Sequence, residues 1–105
     1  MSEFLKIKNR CIGDGFKPLI IIELGINHNG NLNLAKKIIN EAKNSGAEII
    51  KHQTHIPEDE MSLEAKKIVP GNANMNIYDL IKKCAISEND ELKLKKFVEK
   101  KNMIF

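Results

Sequence analysis

The sequence has few of the residues that mark several specialised classes of protein. Its 105 residues include no tryptophan, three prolines and only two cysteines. Cys11 and Cys84 do not form a CxxC pair, so we expect buried thiols rather than a disulfide or a metal site. The longest apolar run is far shorter than the ~20 residues that span a membrane, and the N-terminus lacks a signal-peptide core. We therefore expect a cytoplasmic protein of at most one domain, with no membrane partner.

Neither sign of charge dominates the sequence. Seventeen lysines and arginines face fourteen aspartates and glutamates, which gives a net charge of +3. Since the two signs are interspersed, the surface is that of an ordinary soluble protein and not of one that binds nucleic acid.

The stretch from Leu19 to Thr54 has the order strand, loop, amphipathic helix, glycine and second strand. The run at 19–24 is apolar on both faces, as expected for a strand buried in a parallel sheet. A helix follows that Asn31 caps and that ends near Ser45, before Gly46. A second apolar run begins at Glu48, and the spacing of about thirty residues is typical of one βαβ unit. The pattern predicts two parallel strands joined by a crossover helix.

Polar residues interrupt both predicted strands near their carboxyl ends. Glu23 follows the first apolar run, and strand alternation places Lys51 and Gln53 on one face of the second strand, with His52 on the other. If the strands are adjacent, Glu23, Lys51 and Gln53 converge where α/β proteins keep their sites. The alternative is a structural ion pair that plugs this end of the sheet.

The loop Gly25–Gly30 contributes further candidates. Its glycines and asparagines allow left-handed backbone, and it leads into a helix N-terminus. His28 has several open roles, as an acid, a base, a metal ligand or a residue that fixes the loop by hydrogen bonding. His52 and His55 have HxxH spacing, but residues three apart on an extended segment point to opposite faces, so we do not expect them to share a metal.

The remaining segments extend this unit. Residues 1–18 predict a short hairpin packed under the main sheet. Residues 56–76 form a long insertion with a helical turn or two at 60–67, and we interpret this insertion as a substrate loop. Two helices follow, from about 77 to 85 and from Ser87 to about 101, and residues 103–105 read as the start of a third buried strand. The fold class is α/β, the first β/α units of a (β/α)8 barrel. Because such a barrel takes roughly 250 residues, we expect a truncated piece of one.

These segments carry a resemblance to a known family. The residues are IELGINHNG at 22–30, AEIIKHQT at 47–54, HIPEDEMS at 55–62 and PGNA at 70–73. In this order and spacing they resemble the N-terminal part of the sialic acid synthase family, which includes the legionaminate and pseudaminate synthases. The resemblance extends through the last helix and covers nearly the whole chain.

The resemblance implies a TIM-barrel synthase that condenses phosphoenolpyruvate with an N-acylated mannosamine-type sugar, giving a nonulosonic acid and phosphate. It implies that Glu23 contacts the sugar and is needed for turnover, that Lys51 helps to hold phosphoenolpyruvate, and that Gln53 lies against the reacting groups. Asn72 matches a loop position near the sugar, and Asn27 and His28 are candidate loop contacts.

The resemblance also implies a homodimer and a divalent metal, manganese or magnesium, whose ligands lie outside these 105 residues. We expect this segment to be inactive by itself. The alternative function is an inactive remnant or a small anion-binding module without turnover.

Overall fold

The computed structural model describes residues 3–105, so the first two residues of the predicted hairpin segment lie outside the described part. The strands are β1 (Phe4–Ile7), β2 (Arg10–Gly13), β3 (Ile21–Glu23) and β4 (Ile49–Lys51). The helices are α1 (Leu32–Asn44), α2 (Pro57–Glu60), α3 (Ile77–Cys84) and α4 (Glu88–Lys100), and a 3₁₀ turn covers Ala65–Lys67. Among residues 3–105, no helix combines the length and the apolar character that a bilayer crossing requires.

The centre of the structure is the β3–α1–β4 unit. β3 and β4 are parallel, with Ile21 opposite Ile49 and Glu23 opposite Lys51. The ladder continues beyond the strands, because the Leu24 amide donates to the Lys51 carbonyl at 2.8 Å. At the other edge of β4, Ile104 forms a parallel bridge with Ile49. The mixed α/β character predicted from the sequence is therefore present.

Helices α1 and α4 cover one face of this unit. The core comprises Leu24, Ala35, Ile39, Ala42, Ala47, Ile50, Leu94, Val98 and Met103. Each long helix begins at a capping side chain: the Leu34 amide donates to Asn31 Oδ1 at 3.0 Å, and the Asp90 amide donates to Ser87 Oγ at 3.1 Å. These caps satisfy amides that have no partner within the helix. Leu92, an apolar residue of α4, lies outside this core and is 47% exposed.

The N-terminal strands form an antiparallel hairpin, β1–β2. Its attachment differs from the expected packing under the sheet, because the apolar side chains of β1 are exposed. Arg10 holds the hairpin instead. Its Nε donates to Glu48 Oε1 at 2.6 Å, and its Nη2 donates to the Lys17 carbonyl at 2.7 Å. The guanidinium, followed by the Ile20 amide, lowers the pKa of Glu48.

Two expectations about the strands need correction. Both strands are shorter than the apolar runs, three residues each in place of the six at 19–24 and 48–53. Burial of the first strand on both faces is also wrong, since Ile20 and Ile21 are 43% and 48% exposed. The physical reason is that helices cover only one face of this pair in the described residues, and burial in a parallel sheet requires both faces to be covered.

The insertion at 56–76 contains two short helical segments, α2 and the 3₁₀ turn at Ala65–Lys67, and the second lies within the predicted range 60–67. Helical structure stops at Glu60, because Met61 is extended, with φ −134° and ψ 142°. A new turn then begins at Ser62, whose Oγ accepts from the Ala65 amide at 3.1 Å. The segment packs on α3, where the Ile77 amide donates to the Ile68 carbonyl at 2.7 Å and the Tyr78 hydroxyl donates to Glu58.

Two glycines with left-handed backbone allow a matched test of how tightly the loop after β3 packs. Gly30 has φ +75°, and a Cβ there would lie 2.6 Å from the Lys83 carbonyl oxygen at the end of α3. Gly46 has φ +97° and nothing within 4 Å of the same position. We predict that Gly46→Ala lowers the free energy of unfolding by about 1 to 2 kcal/mol, the cost of the conformation.

Gly30→Ala should cost a further ~1 to 3 kcal/mol, because backbone at the end of α3 must also move. Urea unfolding of the natural-length protein checks the difference. Equal losses for the two variants would show that the loop does not press against α3.

Candidate functional site

Glu23 and Lys51 lie side by side at the carboxyl ends of two adjacent parallel strands. Lys51 Nζ donates to Glu23 Oε1 at 3.0 Å, and the two side chains are 55% and 72% exposed. An exposed pair of this kind contributes at most ~1 kcal/mol to stability, because water screens the charges. Both charged groups are therefore open to solvent at the position where α/β folds bind ligands.

The other residues proposed from the sequence are less closely associated with this pair. Gln53 is exposed and lies two residues beyond Lys51, outside the strand β4. Asn72 is exposed in a turn where the Ala73 amide donates to the Pro70 carbonyl at 3.1 Å. Within residues 3–105, no hydrogen bond joins Gln53 or Asn72 to Glu23 or Lys51. The structure therefore brings Glu23 and Lys51 together, while Gln53 follows Lys51 by two residues and Asn72 lies in a separate loop.

Asn27 and His28, the two candidate loop contacts, have different environments. Asn27 is exposed, and its Nδ2 donates to the Leu24 carbonyl at 3.1 Å, which closes the turn after β3. His28 is only 1% exposed. Its Nδ1 accepts from the Gly30 amide at 3.0 Å, so this histidine fixes the loop. Of the roles left open for His28, the structure shows the loop-fixing one.

His28 is also the first member of a chain of polar side chains that runs from the buried loop to the exposed Thr54. His28 Nε2 lies 3.1 Å from His52 Nε2, and His52 Nδ1 lies 2.8 Å from Glu91 Oε1 on α4. The Thr54 hydroxyl donates to both oxygens of Glu91, at 3.0 and 2.9 Å. The His52 and Glu91 side chains are only 5% and 15% exposed. We call His28, His52, Thr54 and Glu91 the histidine–glutamate chain.

His55 belongs to a different group. Its Nδ1 is 2.9 Å from Glu60 Oε1, and its Nε2 is buried without a hydrogen-bond partner in the described residues. His52 and His55 thus have separate carboxylate partners, as expected from their opposite faces. In residues 3–105, no group of three or more His, Cys, Asp or Glu side chains is arranged to hold a metal ion.

Sequence reasoning missed the histidine–glutamate chain. The alternation of the second strand correctly turned His52 away from Lys51 and Gln53, but it did not identify what His52 meets there. Glu91 lies on α4, 39 positions after His52, and the pattern of charged residues there indicates an exposed helical surface. The signal that was available is the pair of histidines near the ends of two predicted adjacent strands.

Burial determines the protonation of His28. Removal of the imidazole from water is the largest cause that lowers the pKa of His28 below its ordinary value of 6.5, and the neighbouring His52 and His55 lower it further. Glu91 and the backbone at Gly25 act in the opposite direction. His28 is therefore held neutral at neutral pH.

The fold and the site together define a class of protein. It is an α/β protein whose βαβ unit has charged side chains exposed at the carboxyl ends of its parallel strands, the edge at which ligands bind in α/β sheets. The model of the NeuB family matches residues 38–105. The chain belongs to the NeuB family.

Several relatives support this assignment. An uncharacterised protein of Methanocaldococcus jannaschii is 35% identical over 103 residues, which is 98% of this chain and 28% of that protein. The N,N'-diacetyllegionaminic acid synthase of Legionella pneumophila is 37% identical over 93 residues, 78% of this chain and 26% of the synthase. The crystal structure of a sialic acid synthetase from Leptospira borgpetersenii, in complex with citrate, has a TM-score of 0.81 at 31% identity.

That structural match covers the whole of this chain and 33% of the synthetase. The chain therefore spans between about a quarter and a third of the length of these relatives. Residues 1–105 align with one part of each of these relatives.

The neutral state of His28 predicts a dependence of stability on pH. Because the pKa of His28 is lower in the folded than in the unfolded protein, the unfolded chain binds more protons below pH ~6.5. The contribution of His28 to stability is fully present above that pH and is lost as the pH falls from there toward the folded pKa.

We predict that the free energy of unfolding of the natural-length protein, measured in urea, decreases from pH 7.5 to pH 5.5. This decrease should become smaller in His28→Gln. In His55→Gln, which retains His28, most of it should remain. An equal slope in His28→Gln and in the unsubstituted protein would contradict the assignment.

Proposed function

We propose that the natural-length protein condenses phosphoenolpyruvate and one water molecule with an N-acylmannosamine-type sugar, giving a nonulosonic acid such as N-acetylneuraminate and releasing phosphate. The observation that supports this most strongly is the exposed Glu23–Lys51 pair at the carboxyl ends of adjacent parallel strands in a member of this family. In the proposal, residues 1–105 supply the first β/α units of a (β/α)8 barrel and one side of its site.

Lys51 has the chemistry to hold phosphoenolpyruvate. Its ammonium carries three donors on a flexible stem and is more than half exposed, so it can contact the carboxylate or the phosphate of a multiply charged anion. Gln53, two residues further on the same side, adds an amide that donates and accepts. Together they give one edge of the site a positive and polar character.

Glu23 has a different role in the proposal. Its carboxylate accepts from sugar hydroxyl groups and orients the aldehyde toward the enol carbon of phosphoenolpyruvate, where the new carbon–carbon bond forms. The ion pair with Lys51 neutralises the charges of Glu23 and Lys51 until the substrates bind. Asn72, from the long loop, would reach the sugar from the outside of the site.

Family resemblance adds a divalent metal, manganese or magnesium, a homodimer and a cytoplasmic location to the proposal. The residues described here do not form a metal site, so we assign none of them to the metal and derive no step through it. Its ligands would come from the rest of the natural-length protein.

The proposal predicts that the Glu23–Lys51 pair matters for turnover and not for stability. Glu23→Gln should lower kcat at least about 100-fold, the effect of losing one polar contact that orients or stabilises the reacting groups. Lys51→Ala should raise KM for phosphoenolpyruvate at least about 10-fold, since a hydrogen bond to a charged group contributes ~1.5 to 3 kcal/mol. Neither variant should lose more than ~1 kcal/mol of stability.

The assay is phosphate release from phosphoenolpyruvate in the presence of N-acetylmannosamine and manganese, with the natural-length protein. Lys93→Ala, which removes an exposed lysine paired with Asp90 at 3.2 Å on α4, is the matched control and should change neither constant. Unchanged kinetics in both site variants would mean that the pair is a structural plug. Binding of phosphoenolpyruvate without phosphate release would favour the anion-binding module.

A further inference from the structure

The histidine–glutamate chain has a defined direction. The Gly30 amide can only donate, so His28 Nδ1, at 3.0 Å, carries no proton. A neutral His28 then carries its proton on Nε2 and donates it to His52 Nε2 at 3.1 Å. His52 must therefore carry its own proton on Nδ1, the atom that lies 2.8 Å from Glu91 Oε1.

Both histidines are therefore neutral, and each is held in one tautomer. A second proton on either ring would point an N–H at another N–H. Protonation of His52 Nε2 would place its N–H against the His28 Nε2–H, and protonation of His28 Nδ1 would place an N–H against the Gly30 amide. The other titratable group near the two rings is His55, which follows His52 on the same segment, while Glu91 is the group that faces them from α4.

The histidine–glutamate chain joins three parts of the structure. His28 lies in the loop after β3, His52 and Thr54 follow β4, and Glu91 lies on α4. Phe105 stacks on the His52 ring, with centroids 6.3 Å apart and an interplanar angle of 20°. The histidine–glutamate chain thus fixes the extended segment 51–54 from its inner side.

Lys51 and Gln53 are the residues immediately before and after His52, and both are exposed, in contrast to the His52 side chain. β4 ends at Lys51, so the strand ladder alone does not hold the backbone at Gln53. We infer that His52, Thr54 and Glu91 are positioning residues that hold Lys51 and Gln53 toward phosphoenolpyruvate. This inference rests on the proposed function.

Because both rings of the histidine–glutamate chain are neutral, position 91 requires a hydrogen-bond acceptor and not a negative charge. The carboxamide oxygen of glutamine can accept the His52 Nδ1–H as a carboxylate oxygen does. If His52 were instead a cation paired with Glu91, glutamine would fail to replace glutamate. The two arrangements therefore predict different behaviour of Glu91→Gln.

The test uses the natural-length protein and steady-state kinetics with phosphoenolpyruvate. Glu91→Ala should raise KM for phosphoenolpyruvate at least about 10-fold, with a smaller effect on kcat, because it loosens groups that bind this substrate. Glu91→Gln should restore KM to within about threefold of the unsubstituted protein. Thr54→Val, which removes one hydrogen bond to Glu91, gives a milder variant and should raise KM by a smaller factor.

Glu99→Ala is the matched control. It removes an exposed carboxylate of α4 that is 4.0 Å from Lys95, and it should leave both KM and kcat unchanged.

A second measurement reports the histidine tautomers of the histidine–glutamate chain and does not depend on turnover. Nitrogen-15 NMR of histidine-labelled protein at pH 7.5 should show one neutral ring with its proton on Nε2 and one with the less common proton on Nδ1, and Glu91→Ala should remove the second signal. Other tautomers, or a charged His52, would overturn the hydrogen-bond chain. If these tautomers are found but Glu91→Ala and Thr54→Val leave KM unchanged, the positioning role is overturned. Absence of phosphoenolpyruvate binding by the unsubstituted protein would refute both the proposed function and the positioning role. The NMR result would still test the hydrogen bonds of the histidine–glutamate chain.

Discussion

The register between β3 and β4 is the constraint on which the rest of the structure depends. Side chains of a strand alternate between the two faces, so a shift of one residue would exchange the residues on each face. In the observed register, Glu23 is opposite Lys51, and Ile50 enters the core. A shift by one would bury the ammonium of Lys51 and expose the ring of His52. The apolar core therefore specifies the site indirectly, because it specifies the pairing.

The two sides of the segment after β4 have opposite energetics. On the outer side, the Glu23–Lys51 pair is exposed, contributes little to stability and can exchange partners with a ligand at low cost. On the inner side, His28 and His52 are buried, and each polar atom that loses its partner there costs about 1 to 3 kcal/mol. A rigid inner side and an exchangeable outer side together allow the segment to present charged groups in a defined direction. This division of roles follows from alternation along one short stretch of chain.

Much of this arrangement could be predicted from local pattern. The βαβ unit follows from two apolar runs about thirty residues apart, and the N-caps Asn31 and Ser87 follow from the residue types that favour helix starts. The juxtaposition of Glu23 with Lys51 follows from alternation and adjacency alone. The Arg10–Glu48 attachment and the Glu91–His52 contact could not be predicted, because each joins residues 38 or more positions apart through tertiary packing. The exposure of Ile21 depends on what covers the second face of the sheet, which no local pattern in the strand reports.

The central claim is that the carboxyl ends of β3 and β4 bind phosphoenolpyruvate. A crystal structure of the natural-length protein with phosphoenolpyruvate tests it most directly. The account predicts that Lys51 Nζ lies within hydrogen-bond distance of the carboxylate or the phosphate, with Gln53 on the same side and His28, His52 and Glu91 connected as they are here. Phosphoenolpyruvate bound elsewhere, with Lys51 still paired only to Glu23, would contradict the account.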